Sequence, residues 1–214
     1  MRRFFGSSVT KKLVMALAGL FLITFLIVHL TINLFLLSDD PDPFNKAAHF
    51  MASNPLIKIF EVVLMGGFLI HIICGVILQI QNWMARPKRY KVTYPSQTSF
   101  FSKYMIYLGI IILIFLFLHF MNFFFIKLGW VEGDHENFYG IAHDLFHMPQ
   151  YLVIYLFSFL ILAFHLNHAF QSAFQTLGLN HAKYTPVIKG IGLVYSIVVP
   201  VGYSIIPIVI YFFK

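Results

Sequence analysis

Five apolar stretches, at about 12–37, 55–84, 102–127, 148–176 and 187–213, leave this chain of 214 residues few ways to fold. Each supplies the ~20 residues that an α-helix needs to cross the hydrocarbon core of a bilayer. In hydrocarbon, every backbone N–H and C=O has to be satisfied within its own segment, so stretches of this kind span as helices. The chain is 59% hydrophobic and 11% charged, whereas a soluble domain carries about a quarter charged residues. The expectation is an all-α integral membrane protein with five transmembrane helices, forming one domain over residues 1–214. The first stretch, MALAGLFLITFLIVHLTINLFLL, is too long for the apolar part of a signal peptide and no small-residue cleavage site follows it. It is therefore expected to stay in the membrane. Pro41 and Pro43 in SDDPDP block its continuation, the string GWVEGDHENFYG reads as a polar loop, and Pro200 and Pro207 should kink the fifth helix. The single cysteine, Cys74, excludes an intrachain disulfide and cannot hold an iron–sulfur cluster by itself.

Charge divides the chain into two faces. Eleven of the fifteen Lys and Arg lie at the N-terminus (Arg2, Arg3, Lys11, Lys12), in residues 86–103, or where the fourth stretch connects to the start of the fifth (Lys183, Lys189). All eight acids lie at the opposite ends: Asp39, Asp40, Asp42, Glu61, Glu132, Asp134, Glu136 and Asp144. By the positive-inside rule the N-terminus is expected in the cytoplasm and the C-terminus outside. The basic face suits anionic lipid headgroups or an acidic partner protein, and nothing in the pattern points to nucleic acid.

Within the apolar stretches stand four histidines: His29 in FLIVHLTINLF, His71 in GGFLIHIICGV, His119 in FLFLHFMNF and His165 in LAFHLNHAF. An imidazole in hydrocarbon is costly unless paired or coordinated, and neutral imidazole is the commonest metal ligand. His29 and His119 each lie about 17 residues past the basic ends of their stretches, roughly 25 Å along a helix. His71 and His165 lie about 16 residues past the acidic ends, which puts both in the cytoplasmic half. Two pairs result, His29 with His119 toward the outside and His71 with His165 toward the inside. Histidines serving only as packing groups have no reason to sort into two levels. Two such pairs on helices spanning one bundle suit bis-histidine ligation of two b-type haems, and the absence of C-x-x-C-H excludes covalent attachment. Gly19 and Gly109 fall at the level of the inner pair, and Gly75 one turn after His71. Small residues there leave room for a planar macrocycle or allow close helix packing.

Other readings fit less well. H-x-x-x-H at His143 and His147 and H-x-x-H at His165 and His168 are the boxes of membrane di-iron enzymes. On one continuous helix, however, His147 and His165 stand ~27 Å apart. His168 could replace His165 as ligand, but a role beside the ligand suits it better. A transporter is expected to carry acids at mid-membrane, and none of these acids lies there.

The strings around these histidines resemble one family. FLIVHLTINLF, the string FNKAAHFMASNP containing His49, FEVVLMGGFLIHIICG and AFHLNHAFQS are similar to the dihaem cytochrome b membrane anchor (b558 type) of succinate dehydrogenases and fumarate reductases, the succinate:quinone oxidoreductases. The resemblance covers the first four stretches. It rests mainly on position around His119, and the fifth stretch matches only in being apolar and ligand-free. It implies that His29 and His119 ligate the outer haem iron and His71 and His165 the inner one. It further implies a multi-pass protein of the bacterial cytoplasmic membrane, the quinone-reactive subunit of respiratory complex II. Succinate chemistry would reside on a flavoprotein subunit, and an iron–sulfur subunit would dock on the basic face. Electrons would pass through the two haems to a quinone, expected to be menaquinone, near the outer surface. Lys12 and Lys103 are candidate partners for inner-haem propionates, and His49 and Glu61 for proton exchange at the quinone. Some fumarate reductases of the family carry a glutamate two residues before the ligand in the fourth helix. Ala163 stands there in this chain, which leans toward the succinate-oxidising branch. The nearest alternative is the cytochrome b anchor of a hydrogenase or formate dehydrogenase, which usually places two ligands on one helix.

The charge pattern makes a direct prediction. A reporter domain fused after Lys214 should be accessible outside the cytoplasmic membrane, and one inserted near Lys88 should be protected inside. The reverse accessibility would overturn the orientation.

Overall fold

The computed structural model describes residues 7–85 and 100–214, with residues 100–103 by backbone alone. Regular structure among these residues is entirely helical. Helix α1 (Ser8–Asn33) starts at Ser7, whose side chain caps it by accepting from the Thr10 N–H, and a 3₁₀ turn (Leu34–Leu37) extends it. Next comes α2 (Asp42–Ser53). Asn54 then caps α3 (Pro55–Met84) by accepting from the N–H groups of Leu56 and Ile57. Helix α4 (Phe100–His119) runs on through a π-helical turn (Phe120–Phe124) and a final α turn (Phe125–Lys127). After it come α5 (Phe138–Phe146), α6 (Pro149–Thr176) and α7 (Thr185–Phe213). The five apolar stretches are thus five helices long and apolar enough to cross a membrane.

The bundle is built around α6. Helix α6 packs along α7, α4 and α1, while α1 also packs along α3. By contrast α3 and α4 barely touch, so α1, α3, α4 and α6 form a square with one loose side. Val62, Ile114 and Val194 are among many large apolar side chains left exposed, as lipid-facing surfaces of a membrane bundle are.

One segment departs from expectation. The string after α4 is not wholly a loop, because its last three residues open the nine-residue helix α5. Asn137 caps α5 by accepting from the Gly140 N–H, and Ala142, Leu145 and Phe146 are buried at helical spacing. Helix α5 is tied to α2 through Asn45, which donates to the Asn137 side chain at 3.2 Å and accepts from the Tyr139 N–H at 3.0 Å. The Tyr139 hydroxyl donates to the Ser38 carbonyl at 2.8 Å. Lys214 meets Asp39 at 2.7 Å, and this contact holds the Asp39 carboxyl below its ordinary value. These bonds close the acidic end of the bundle. Helix α7 is one continuous helix that contains both Pro200 and Pro207. Both prolines are buried against the bundle, and neighbouring tyrosines fasten the helix to α1. The hydroxyls of Tyr195 and Tyr203 donate to the carbonyls of Ile23 and Leu26 at 2.7 and 2.8 Å.

Close packing of α7 on α1 depends on Gly202, where an added Cβ would stand 2.8 Å from Leu30 Cδ2. Gly202→Leu should therefore cost about 1–3 kcal/mol through overpacking, read as a lowered thermal midpoint in detergent. Gly190→Leu on the same helix has open space around it and should leave that midpoint unchanged or slightly raised.

Candidate functional site

The four histidines come together as two pairs across the diagonals of the square. His29 on α1 faces His119 on α4, with ring centroids 5.8 Å apart and planes at 85°. His71 on α3 faces His165 on α6 at 6.4 Å and 70°. These are the pairs obtained from depth along the segments. His168 is one turn beyond His165, and it is His165 that faces His71.

The chemistry of each pair can be tested for fit. Two imidazoles bound to opposite sides of one metal, with metal–nitrogen bonds of about 2 Å, hold their ring centroids roughly 6 Å apart. Both observed separations match. In the His71–His165 pair the Nδ1 atoms are buried and have no hydrogen-bond partner among the described residues. A buried polar nitrogen without a partner is costly, and coordination or a bound polar group would relieve it. Glycines adjoin both of these rings. A Cβ on Gly19 would lie 3.4 Å from His71 Cε1, and one on Gly109 would lie 3.9 Å from His165 Cε1. The residues at the His71–His165 level therefore fit a planar, doubly ligated group, and at the His29–His119 level the ring separation fits one.

The His29–His119 pair has an aromatic and polar surround. Phe25 stacks on His29 at 5.2 Å, and the Asn33 amide donates to the His29 carbonyl at 2.7 Å. Phe115 stacks near His119 at 6.0 Å, and the Phe123 ring lies 5.1 Å away. The Tyr155 hydroxyl stands 3.4 Å from His119 Nδ1, and the Asn122 amide donates to that hydroxyl at 3.4 Å. The π turn of α4 begins at the residue after His119. Such turns are rare and cluster at functional positions.

The remaining candidates divide between the two ends. His49 is exposed on α2 and lines a cleft of about 300 Å³ with Asn45, Lys58, Lys127, His135 and Glu136. Glu61 lines an adjoining cleft of about 380 Å³, which shares Ala52, Lys58 and Lys127 with the first, and its carboxylate pairs with Lys127 at 2.5 Å. His49 and Glu61 thus flank the same two lysines without lining one cleft. At the basic end Lys12 is exposed, and the Lys103 side chain lies outside the described residues. His143 and His147 sit on α5. The His143 ring stacks on Tyr139 at 4.0 Å and bonds the Leu36 carbonyl at 3.2 Å. Burial holds that imidazole below its ordinary value, against the pull of the Leu36 carbonyl toward the protonated ring. His147 bonds the His143 carbonyl at 2.7 Å. Among the described residues no three His, Cys, Asp or Glu converge as a di-iron centre needs.

Sequence reasoning missed Tyr155, Asn122 and Lys127. Tyr155 carried a signal, since a hydroxyl within an apolar stretch needs a partner and lies ten residues before His165 on the same helix. No family model, curated protein or solved structure matches this chain.

Proposed function

We propose that this chain is the dihaem cytochrome b anchor of a succinate:quinone oxidoreductase of the bacterial cytoplasmic membrane. The observation that carries the reading is the pair of imidazole pairs, at 5.8 and 6.4 Å, on two levels of one bundle. Two b-type haems bound there supply one-electron carriers at two depths in the membrane. His29 and His119 hold one, His71 and His165 the other. One ligand from each of four helices favours this family over anchors that place two on one helix. Gly19 and Gly109 keep side chains away from the rings of His71 and His165. The basic end, with Lys11, Lys12, Lys183 and Lys189, lies in the cytoplasm and receives the iron–sulfur subunit, to which the flavoprotein is joined. Lys12 and Lys103 stand at that end as partners for propionates. The acidic end faces outward and takes the quinone, expected to be menaquinone. There the clefts beside His49 and Glu61 are lined mainly by charged and polar groups, with Phe138, Val62 and Leu128 as their larger apolar side chains, and those polar groups would fix the carbonyls of a quinone. Glu61, held by Lys127, and exposed His49 are placed to exchange protons with water.

Two outcomes are expected. His71→Ala and His165→Ala should each lower the haem content from two per chain to one, or abolish assembly, because the remaining imidazole is left unpaired. His168→Ala should keep both haems. Loss of a haem in His168→Ala with both retained in His165→Ala would reassign the ligand on α6. For the quinone, His49→Ala and Glu61→Gln should slow its reduction about tenfold, some 1.4 kcal/mol in the barrier. Both haem spectra and succinate reduction of an artificial dye should be unchanged. Unaltered quinone kinetics in both variants would move the site elsewhere.

A further inference from the structure

Tyr155 is buried at 2% exposure near the start of α6, as the seventh of its 28 residues, and its surroundings fix where its hydroxyl points. Phe115 and Phe146 meet its ring edge-to-face at 4.9 and 5.0 Å, and Phe159 does so at 5.9 Å. Held in this way, the hydroxyl oxygen lies 3.4 Å from His119 Nδ1 and accepts from the Asn122 amide at 3.4 Å. Among the described residues no other ring of the four has a side-chain hydroxyl beside its Nδ1, although the His71 ring has a backbone hydrogen bond at Met15. The Nδ1 atoms of His71 and His165 have no partner among the described residues. Beside His29 Nδ1 stands the Asn33 amide nitrogen at 3.4 Å, a donor whose shorter bond goes to the His29 carbonyl.

We propose that Tyr155, set by Asn122, is the positioning residue that fixes the tautomer of His119 and tunes the outer iron site through it. The inference rests on the haem reading above. A neutral imidazole has one N–H and one lone pair. With its proton on Nδ1 and directed at the Tyr155 oxygen, His119 presents the Nε2 lone pair to a metal. An oxygen acceptor on the far nitrogen makes the ligating nitrogen more basic, which favours the ferric over the ferrous state. The oxygen has two lone pairs and can accept from His119 and Asn122 together. Donation by Asn122 withdraws density from the oxygen and weakens its pull on His119. Removing Tyr155 and removing Asn122 should therefore act in opposite directions on the same site.

Redox titration of the haem-loaded full-length chain, following the two haem components separately, tests this. Tyr155→Phe should raise the midpoint of one component and leave the other in place. Asn122→Leu should lower the midpoint of that same component. A dihaem protein in which neither variant moves a midpoint would overturn the inference while sparing the haem reading, as would shifts of both variants in one direction. If Tyr155→Phe fails to assemble, Asn122→Leu decides alone, since a downward shift supports the inference and an unmoved midpoint overturns it. Wild-type chain that binds no haem would overturn both.

Discussion

An imidazole buried in hydrocarbon has to find a partner, and four such rings set the terms for the rest of this structure. The backbone of each helix is satisfied within the helix, so it offers these side chains little. Partners have to come from across the bundle. His29 and His119, and His71 and His165, meet along the two diagonals of a square of helices, α1, α3, α4 and α6. The loose contact between α3 and α4 follows the same logic, because helices packed tightly on every side would leave no width for anything between the rings.

The two levels solve this problem differently. At the His71–His165 level the rings are flanked by glycines and their Nδ1 atoms are left unpaired. At the His29–His119 level, aromatic rings and the hydroxyl of Tyr155 crowd the site. Support around the latter is also more elaborate. Helices α2 and α5 bond to each other above it, α7 is fastened to α1 there by Tyr203, and Lys214 reaches Asp39. The end of the bundle expected to meet quinone is therefore cross-linked by side chains from several helices.

What was legible in the sequence was what depends on length and depth. A helix rises a fixed distance per residue, so counting from the charged ends was enough to set His29 level with His119 and Gly19 level with His71. Rotation about the helix axis was not legible in this way. That is why Tyr155 and Asn122 were missed although both lie in segments whose spans were anticipated. The π turn after His119 alters the phase of all that follows it on α4, and no residue in FMNFF announces it. Lys127, at the end of the same helix, meets Glu61 from 66 positions away, a pairing that only the packed bundle reveals. Helix α5 was hidden by Gly140 and Asp144, turn-forming residues that interrupt an otherwise regular apolar spacing.

The most direct measurement is the haem content of the purified full-length chain, by extraction and by reduced-minus-oxidised absorption. Two non-covalently bound b-type haems per chain, both low-spin as bis-histidine ligation requires, are expected. A chain that folds and remains in the membrane with no haem, or with a single one, would contradict the pairing of His29 with His119 and of His71 with His165 as ligand sets.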